Sequence, residues 1–195
     1  GGEAFDDCAK LEHITIPNSV TYIGDAAFYG CTSLDNIVIP GGAKLSAQTT
    51  GSTFAECTNL KSVVIENGVT TIVQAIFENC VNLESVTIPN TVTEIYPLAF
   101  MGCTKLKSIT IPKSVKTIVK TAGKAMGYYR DSDNNYIKIA DFTIKGYRGT
   151  SAEEYAKENG FKFIALDVSE PTSVSLNKTS LTLDVGKSYT LTKTV

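Results

Sequence analysis

Phenylalanine returns along this chain at Phe5, Phe28, Phe54, Phe77 and Phe100, in steps of 23, 26, 23 and 23 residues. Three residues after each comes a cysteine (Cys8, Cys31, Cys57, Cys80, Cys103), and three further on a leucine (Leu11, Leu34, Leu60, Leu83, Leu106). A fixed period of this length leaves few folds open. Each repeat is too short to enclose a core of its own, so it must stack on the next as one coil of a solenoid. Between the leucines and the next phenylalanine run two further apolar patterns. Ile14 with Ile16, Ile37 with Ile39, Val63 with Ile65, Val86 with Ile88 and Ile109 with Ile111 alternate with other residues. That period of two predicts a half-buried strand from every coil, and hence a parallel sheet. A second pair, such as Val20 with Ile23 or Val92 with Ile95, predicts a shorter extended segment on the opposite wall. Pro17, Pro40, Pro89 and Pro112 fall at the strand ends, where a missing amide donor does least harm. The A-F-x-x-C stretch is too short for a long helix and is expected to form one turn that closes the coil.

Composition narrows the partners. With 18 basic against 20 acidic residues the net charge is −2, so no positive field gathers nucleic acid or anionic lipid. No run of about 18 apolar residues appears, so no membrane insertion is expected in this segment. Gly1 and Gly2 lead straight into the motif, which reads as a piece cut from a longer chain, with any export signal lying upstream. The five cysteines keep time with the repeat and do not cluster in C-x-x-C pairs, which argues against a metal site. Stacked coils are about 4.8 Å apart, whereas disulfide Cβ atoms want about 3.8 Å and suitably turned vectors. All five are therefore expected to be buried, unbridged thiols acting as small hydrophobes.

After Ile118 the pattern dissolves. Residues 120–166 hold a tyrosine-rich stretch, then an S-x-x-E capping box at Ser151 and Glu154, a helix through Glu153–Glu158, a stop at Asn159-Gly160, and a strand over Phe161–Leu166. An α+β cap is expected here, because a bare solenoid end leaves apolar surface and an unpaired strand edge in water. Tyr128, Tyr129, Tyr136, Tyr147 and Tyr155 pack this cap or, alternatively, form an aromatic sugar-binding platform. Residues 167–195 turn to Ser, Thr and Val, with Pro171 in a linker.

No catalytic constellation is legible, and no cofactor is implied. His13, the only histidine, stands at an outward position that other coils give to Asn36, Ser62, Ser85 and Ser108. Asp131, Asp133 and Asn135 open with the spacing of a calcium loop, but Tyr136 replaces the required glycine and Phe142 the bidentate glutamate, so a polar turn is expected. What remains is the outward sheet face: His13 and Thr15, Asn36 and Val38, Ser62 and Val64, Ser85 and Thr87, Ser108 and Thr110. It is uncharged, made of small residues, and flanked by the mixed charges of Glu12, Asp35, Lys61, Glu84 and Lys107. A second candidate is the second coil, three residues longer than the rest, whose Gly41–Ser52 stretch (Gly41, Gly42, Lys44, Gln48 and Ser52 among it) is expected to bulge outward as a loop.

The unit A-F-x-x-C-x-x-L-x-x-I-x-I-P-x-x-V-x-x-I, repeated over about Gly2 to Val119 (domain 1–119), resembles the BspA-like leucine-rich repeats of bacterial surface proteins. Asp141 to Leu166 resembles the closing unit that follows such repeats, and Pro171 to Leu191 resembles the opening of a group 2 bacterial Ig-like domain. The resemblance implies a curved leucine-rich-repeat solenoid of five coils, a place on the cell surface or outside the cell, and recognition or adhesion directed at an extracellular protein or glycan. A structural spacer displaying other domains of a larger exported protein is the alternative reading. An enzyme is not expected.

Overall fold

A computed structural model describes residues 1–46, 52–119, 124–167, 180–184 and 188–192. The long strands of the repeat are β2 (Asn36–Ile39), β4 (Ser62–Ile65), β6 (Ser85–Thr87) and β8 (Ser108–Thr110). The short ones are β1 (Tyr22–Ile23), β3 (Lys44–Leu45), β5 (Thr71–Ile72), β7 (Glu94–Ile95) and β9 (Thr117–Ile118). The closing unit adds β10 (Tyr128–Arg130), β11 (Tyr136–Lys138), β12 (Thr143–Gly146), α1 (Ser151–Asn159) and β13 (Lys162–Ala165). A hairpin of β14 (Ser180–Asp184) and β15 (Ser188–Thr192) follows. The linker and most of the stretch compared above with an Ig-like domain lie outside the described residues.

Parallel pairing on both walls holds most neighbouring coils in register. β2, β4 and β6 pair in parallel so that Asn36, Ser62 and Ser85 stand opposite one another, as do Val38, Val64 and Thr87. On the other wall β1 pairs with β3, β5 with β7 and β7 with β9, while β3 and β5 do not pair with each other. At the A-F-x-x-C turns the rings of Phe5, Phe28, Phe54, Phe77 and Phe100 stack with centroids 5.0 to 5.7 Å apart. The core is the same set of positions repeated: Phe, Cys, Leu, and the inward strand residues, buried from the second coil onward except for the half-buried Val86.

The turns carry a feature invisible in the motif. The residue two after each phenylalanine has a left-handed backbone: Asp7, Gly30, Glu56, Asn79 and Gly102. Glu3, Ala26, Ala75 and Leu98, two before it, do the same. Left-handed residues flip alternate peptides, and the amides freed by this cross to the next coil. Phe5, Phe28, Phe54, Phe77 and Phe100 each donate through N to a carbonyl of the following rung, and so do Asp7, Gly30, Glu56, Asn79 and Gly102. The thiols join the ladder as donors. Cys31, Cys57, Cys80 and Cys103 give Sγ hydrogen bonds of 3.1 to 3.2 Å to the carbonyls of Phe5, Phe28, Phe54 and Phe77. Cysteine is thus a hydrogen-bonding core residue here, beyond its part as a small hydrophobe.

Several expectations need correction. The first coil forms no long strand: Glu12–Ile16 has a partner on one side only, and Ile14 and Ile16 remain half-buried. Cys8 is exposed for the same reason, although all five cysteines are free as expected. The helix starts from Thr150, not from a Ser151 capping box, and Thr150 makes no side-chain cap. Ser151 Oγ instead donates to Val115 O at 2.8 Å, tying the helix to the last coil, and the Glu153 carboxylate receives the Gly149 amide. The stop at Gly160 is as expected, with φ of 64° and its amide returned to the helix carbonyls.

The cap continues the solenoid where the motif fades. Ala125, Met126 and Tyr128 take the rung after Phe100, receiving its amide and that of Gly102. β12 then pairs in parallel with β8, Ile144 opposite Ile109, and β13 with β12. Helix α1 covers the remaining opening. Tyr155 is buried in it, its hydroxyl donating to Met126 O at 3.0 Å. Tyr128 is buried too and donates to Asn159 Oδ1.

Candidate functional site

The outward side chains of the long strands form two straight rows, because parallel in-register pairing places equivalent residues side by side. One row is Asn36, Ser62, Ser85; the other is Val38, Val64, Thr87. Ser108 and Thr110 continue the pattern on β8, which forms no ladder with β6 among the described residues and pairs instead with β12, setting them opposite Thr143, itself buried, and Lys145. Lys162 and Ile164 of β13 extend them by one strand more. The face is therefore longer than the motif indicates. The alternation T-I-K-G and K-F-I-A carried that signal, hidden by the absence of the phenylalanine and cysteine anchors.

Val38 and Val64 are 45% and 41% exposed, two isopropyl groups side by side in water. Beside them, at the strand ends, lies a shallow depression of ≈ 590 Å³ bordered by Val64, Glu66, Asn67, Thr87, Pro89 and Asn90. His13 and Thr15 sit at the first-coil end of the face, exposed and outside the ladder. His13 Nδ1 lies 2.9 Å from Asp35 Oδ1, which also accepts from Asn36 Nδ2. This fixes a polar corner without bringing a nucleophile to it.

The second-coil residues go elsewhere. Gly41 and Gly42 do not bulge outward, since coil two keeps its path through Ser46: Ala43 is buried at the Val20 position and β3 pairs with β1. A Cβ at Gly41 would fall 1.8 Å from Asn67 O, so glycine there lets coils two and three close on one another. Where β3 and β5 fail to pair, a groove of ≈ 680 Å³ opens, bordered by Gly41, Gly42, Lys44, Thr70, Glu94 and Tyr96. It lies on the short-strand wall, away from the sheet rows. Ser52 is half-buried, and Gln48 lies outside the described residues.

The tyrosines divide as packing requires. Tyr128 and Tyr155 are buried and Tyr129 and Tyr147 half-buried, which leaves Tyr136 exposed beneath the Arg130 guanidinium, 4.8 Å from its ring centroid. Asp131, Asp133 and Asn135 form a turn in which the Asp131 carboxylate accepts the amides of Asn135 and Asp133, the first of these chiefly holding its pKa below the usual carboxylate range. Its oxygens face inward, as in a polar turn. Among the described residues no group of three His, Cys, Asp or Glu side chains is placed to hold a metal ion. Nor is any helix among them long and apolar enough to cross a membrane.

The family model for the BspA type leucine rich repeat region matches residues 1–122, in six copies. A leucine-rich repeat protein from Bacteroides ovatus superposes with a TM-score of 0.55 and 30% identity, covering 76% of this chain and 37% of that one. One from Eubacterium ventriosum gives 0.43 and 33%, covering 55% and 34%. A leucine rich cell surface protein from Faecalibacterium prausnitzii gives 0.40 and 23%, covering 68% and 54%. This chain thus spans little more than a third of the length of the B. ovatus protein. No curated protein matches it.

Proposed function

We propose, for a chain that belongs to the BspA-type leucine-rich-repeat family, the function of an exported recognition module that holds an extracellular protein or glycan against its outward sheet face. Solenoids of this kind serve generally as non-enzymatic interaction scaffolds, and their extended surfaces are what they offer a partner. The observation that carries the reading is the pair of aligned rows. Val38 and Val64 expose adjoining apolar groups, and Asn36, Ser62, Ser85, Thr87 and Thr110 supply hydrogen-bonding groups around them, with charge confined to Lys145 and Lys162 at the cap end of the rows. Such a face suits a flat or extended partner better than a small molecule, which needs a concave site.

The test is a glycan array and a panel of extracellular matrix proteins, probed with the native chain and with Val64→Arg. Arginine at this exposed position leaves the core untouched but lifts any partner off the rows. Saturable binding lost in Val64→Arg is the expected result. No saturable binding favours a spacer, and binding unchanged in a folded variant moves the site to the Lys44–Glu94–Tyr96 groove.

A further inference from the structure

We propose that the free edge of β13 is a self-docking surface, on which a second copy of this chain adds its own β13 antiparallel, with Ile164 of the two copies side by side. The proposal concerns the closing unit and is independent of what the sheet face binds.

β13 pairs with β12 on one side, and among the described residues nothing pairs with the other. The Leu166 amide goes to Gly146 O, so Lys162, Ile164 and Leu166 turn their backbone groups toward β12, and the alternate residues Phe163 and Ala165 turn theirs outward. Proteins commonly blunt such an edge with charges, prolines or bulges. Here Lys162 is the only charge on the strand, no proline interrupts it, and its pairing with β12 runs without a bulge. Ile164 and Leu166 are instead 38% and 46% exposed on the outward sheet face. On the opposite face, under α1, a cleft of ≈ 750 Å³ is bordered by Phe161, Phe163, Glu153, Glu154 and Lys157. An added strand therefore meets unpaired backbone, an apolar row on one side and a cleft on the other, which are the parts of a strand-addition site.

The edge is complementary to itself. Antiparallel pairing about Ile164 sets Phe163 opposite the partner's Ala165, and Ala165 opposite the partner's Phe163. These are the residues whose backbone groups face outward, so both pairs exchange N–H···O bonds in each direction. Ile164 then meets Ile164 at the closer, non-hydrogen-bonded position, with Cβ atoms about 4.5–5.5 Å apart. Lys162 comes opposite the partner's Leu166, which lays its aliphatic stem on an apolar side chain and keeps like charges apart. The two Phe163 rings stand on the diagonal, within reach of each other on the cleft side. Neighbouring registers fail. Centring on Phe163 calls on the Phe161 amide, already given to Ala156 O, and centring on Ala165 calls on Asp167, whose carbonyl accepts from Arg148. A parallel, in-register copy would set Lys162 against Lys162. So short a strand makes a small interface, and the pairing is weak and reversible.

The experiment is sedimentation equilibrium of the full chain over a range of concentrations, beside Ile164→Lys, Ile164→Glu and their equimolar mixture. Ile164 is exposed, so the core is untouched in both variants. The native mass is expected to rise from monomer toward dimer with concentration, and each variant alone to dissociate about tenfold or more readily. The mixture should associate more strongly than either variant, because this register alone places residue 164 opposite itself. Amide exchange of Phe163 and Ala165 should be fast in dilute native protein and slow where it is dimeric. A native chain monomeric throughout overturns the proposal, as does either variant associating like the native chain. A mixture no stronger than its components overturns the register. Slow exchange of both amides in dilute, monomeric protein overturns it too, since another part of this chain then covers the edge.

Discussion

The first and last coils of the described stretch carry the same motif among different neighbours. Phe100 of the last coil is covered by Met126 and wholly buried, while Phe5 of the first is stacked on one side and wet on the other. Cys103 donates to a neighbour's carbonyl inside the core, and Cys8 faces solvent. The difference lies in neighbours and not in residues, since a coil contributes only half of each interface it makes. A repeat unit therefore has no stability of its own to assign, and the energy resides between units. After the last coil, α1, β12 and β13 supply the second neighbour, whereas the first coil has one neighbour among the described residues.

Removing the finished end should have the largest effect. A chain ending at Ile118 exposes Phe100, Leu106, Ile109 and Ile111, all buried in the intact molecule. It also strips the pairing partner from β8. Aggregation, or a melting temperature lower by about 10 °C or more, is expected in calorimetry and light scattering. A monomeric truncation melting like the parent would mean that the cap does not complete the core.

Next in size is a single ring taken from either end. Phe100→Ala deletes a fully buried side chain and should cost about 3–5 kcal/mol in urea denaturation. Phe5→Ala removes a ring with one free face and one stacking partner, so about 1 kcal/mol is expected. Equal losses would contradict the claim that neighbours set the value of the anchor.

The thiols sharpen the contrast through pH. Burial pushes the Cys31 thiol up to about 11 and Cys57 to about 12, and raises Cys80 and Cys103 as well, against an ordinary thiol near 9. Between the ordinary and the raised values the unfolded chain has released protons that the native one still holds, so stability must fall as pH rises. It is fully present below about pH 8.5 and is lost from there upward through the raised values. Melting temperatures measured from pH 7 to 11 should show a decline that becomes shallower in Cys57→Ser, whose hydroxyl keeps Phe28 O within reach. A flat profile would be incompatible with buried thiols. At neutral pH a thiol reagent should label Cys8 alone in the native protein and all five cysteines in denaturant.

The sequence made the architecture legible because the repeat states each inward residue five times, and agreement among copies overrides local ambiguity. It foretold the parallel sheet, the short strands of the opposite wall, the free thiols, and a closing helix ending at Gly160. It failed where a residue's state depends on the next coil. Nothing in A-F-D-D-C differs in kind from A-F-M-G-C, so the exposure of Cys8 could not be read from it. The left-handed turn residues were present as D, G, E, N and G in the fourth place of the turn, a set that tolerates positive φ, yet Glu56 in that set disguised the rule. The outward rows on β12 and β13 were missed because the cap keeps the strand period while dropping the anchors. Which face a partner uses depends on exposure and on groups from several coils together, and no single repeat spells that out.

The smallest expected effect concerns the two glycines in that fourth place. Gly30 and Gly102 have φ of 64° and 75°, so alanine at either pays the left-handed penalty of about 1 kcal/mol. A Cβ at Gly30 would lie 2.1 Å from Asp7 Oδ1, and one at Gly102 lies as close to Asn79 Oδ1. The obstacles look alike, but their freedom differs. Asp7 is exposed on the open coil and can swing its carboxylate into water, whereas Asn79 is half-buried and anchored by its Nδ2 hydrogen bond of 2.7 Å to Glu56. Gly102→Ala must therefore break that bond or strain the turn, and should cost about 1 kcal/mol more than Gly30→Ala. Urea denaturation of the two variants measures the difference. Equal costs would show that the side chains of the open end are held as firmly as those of the interior, and a larger cost at Gly30 would reverse the ranking of the two ends.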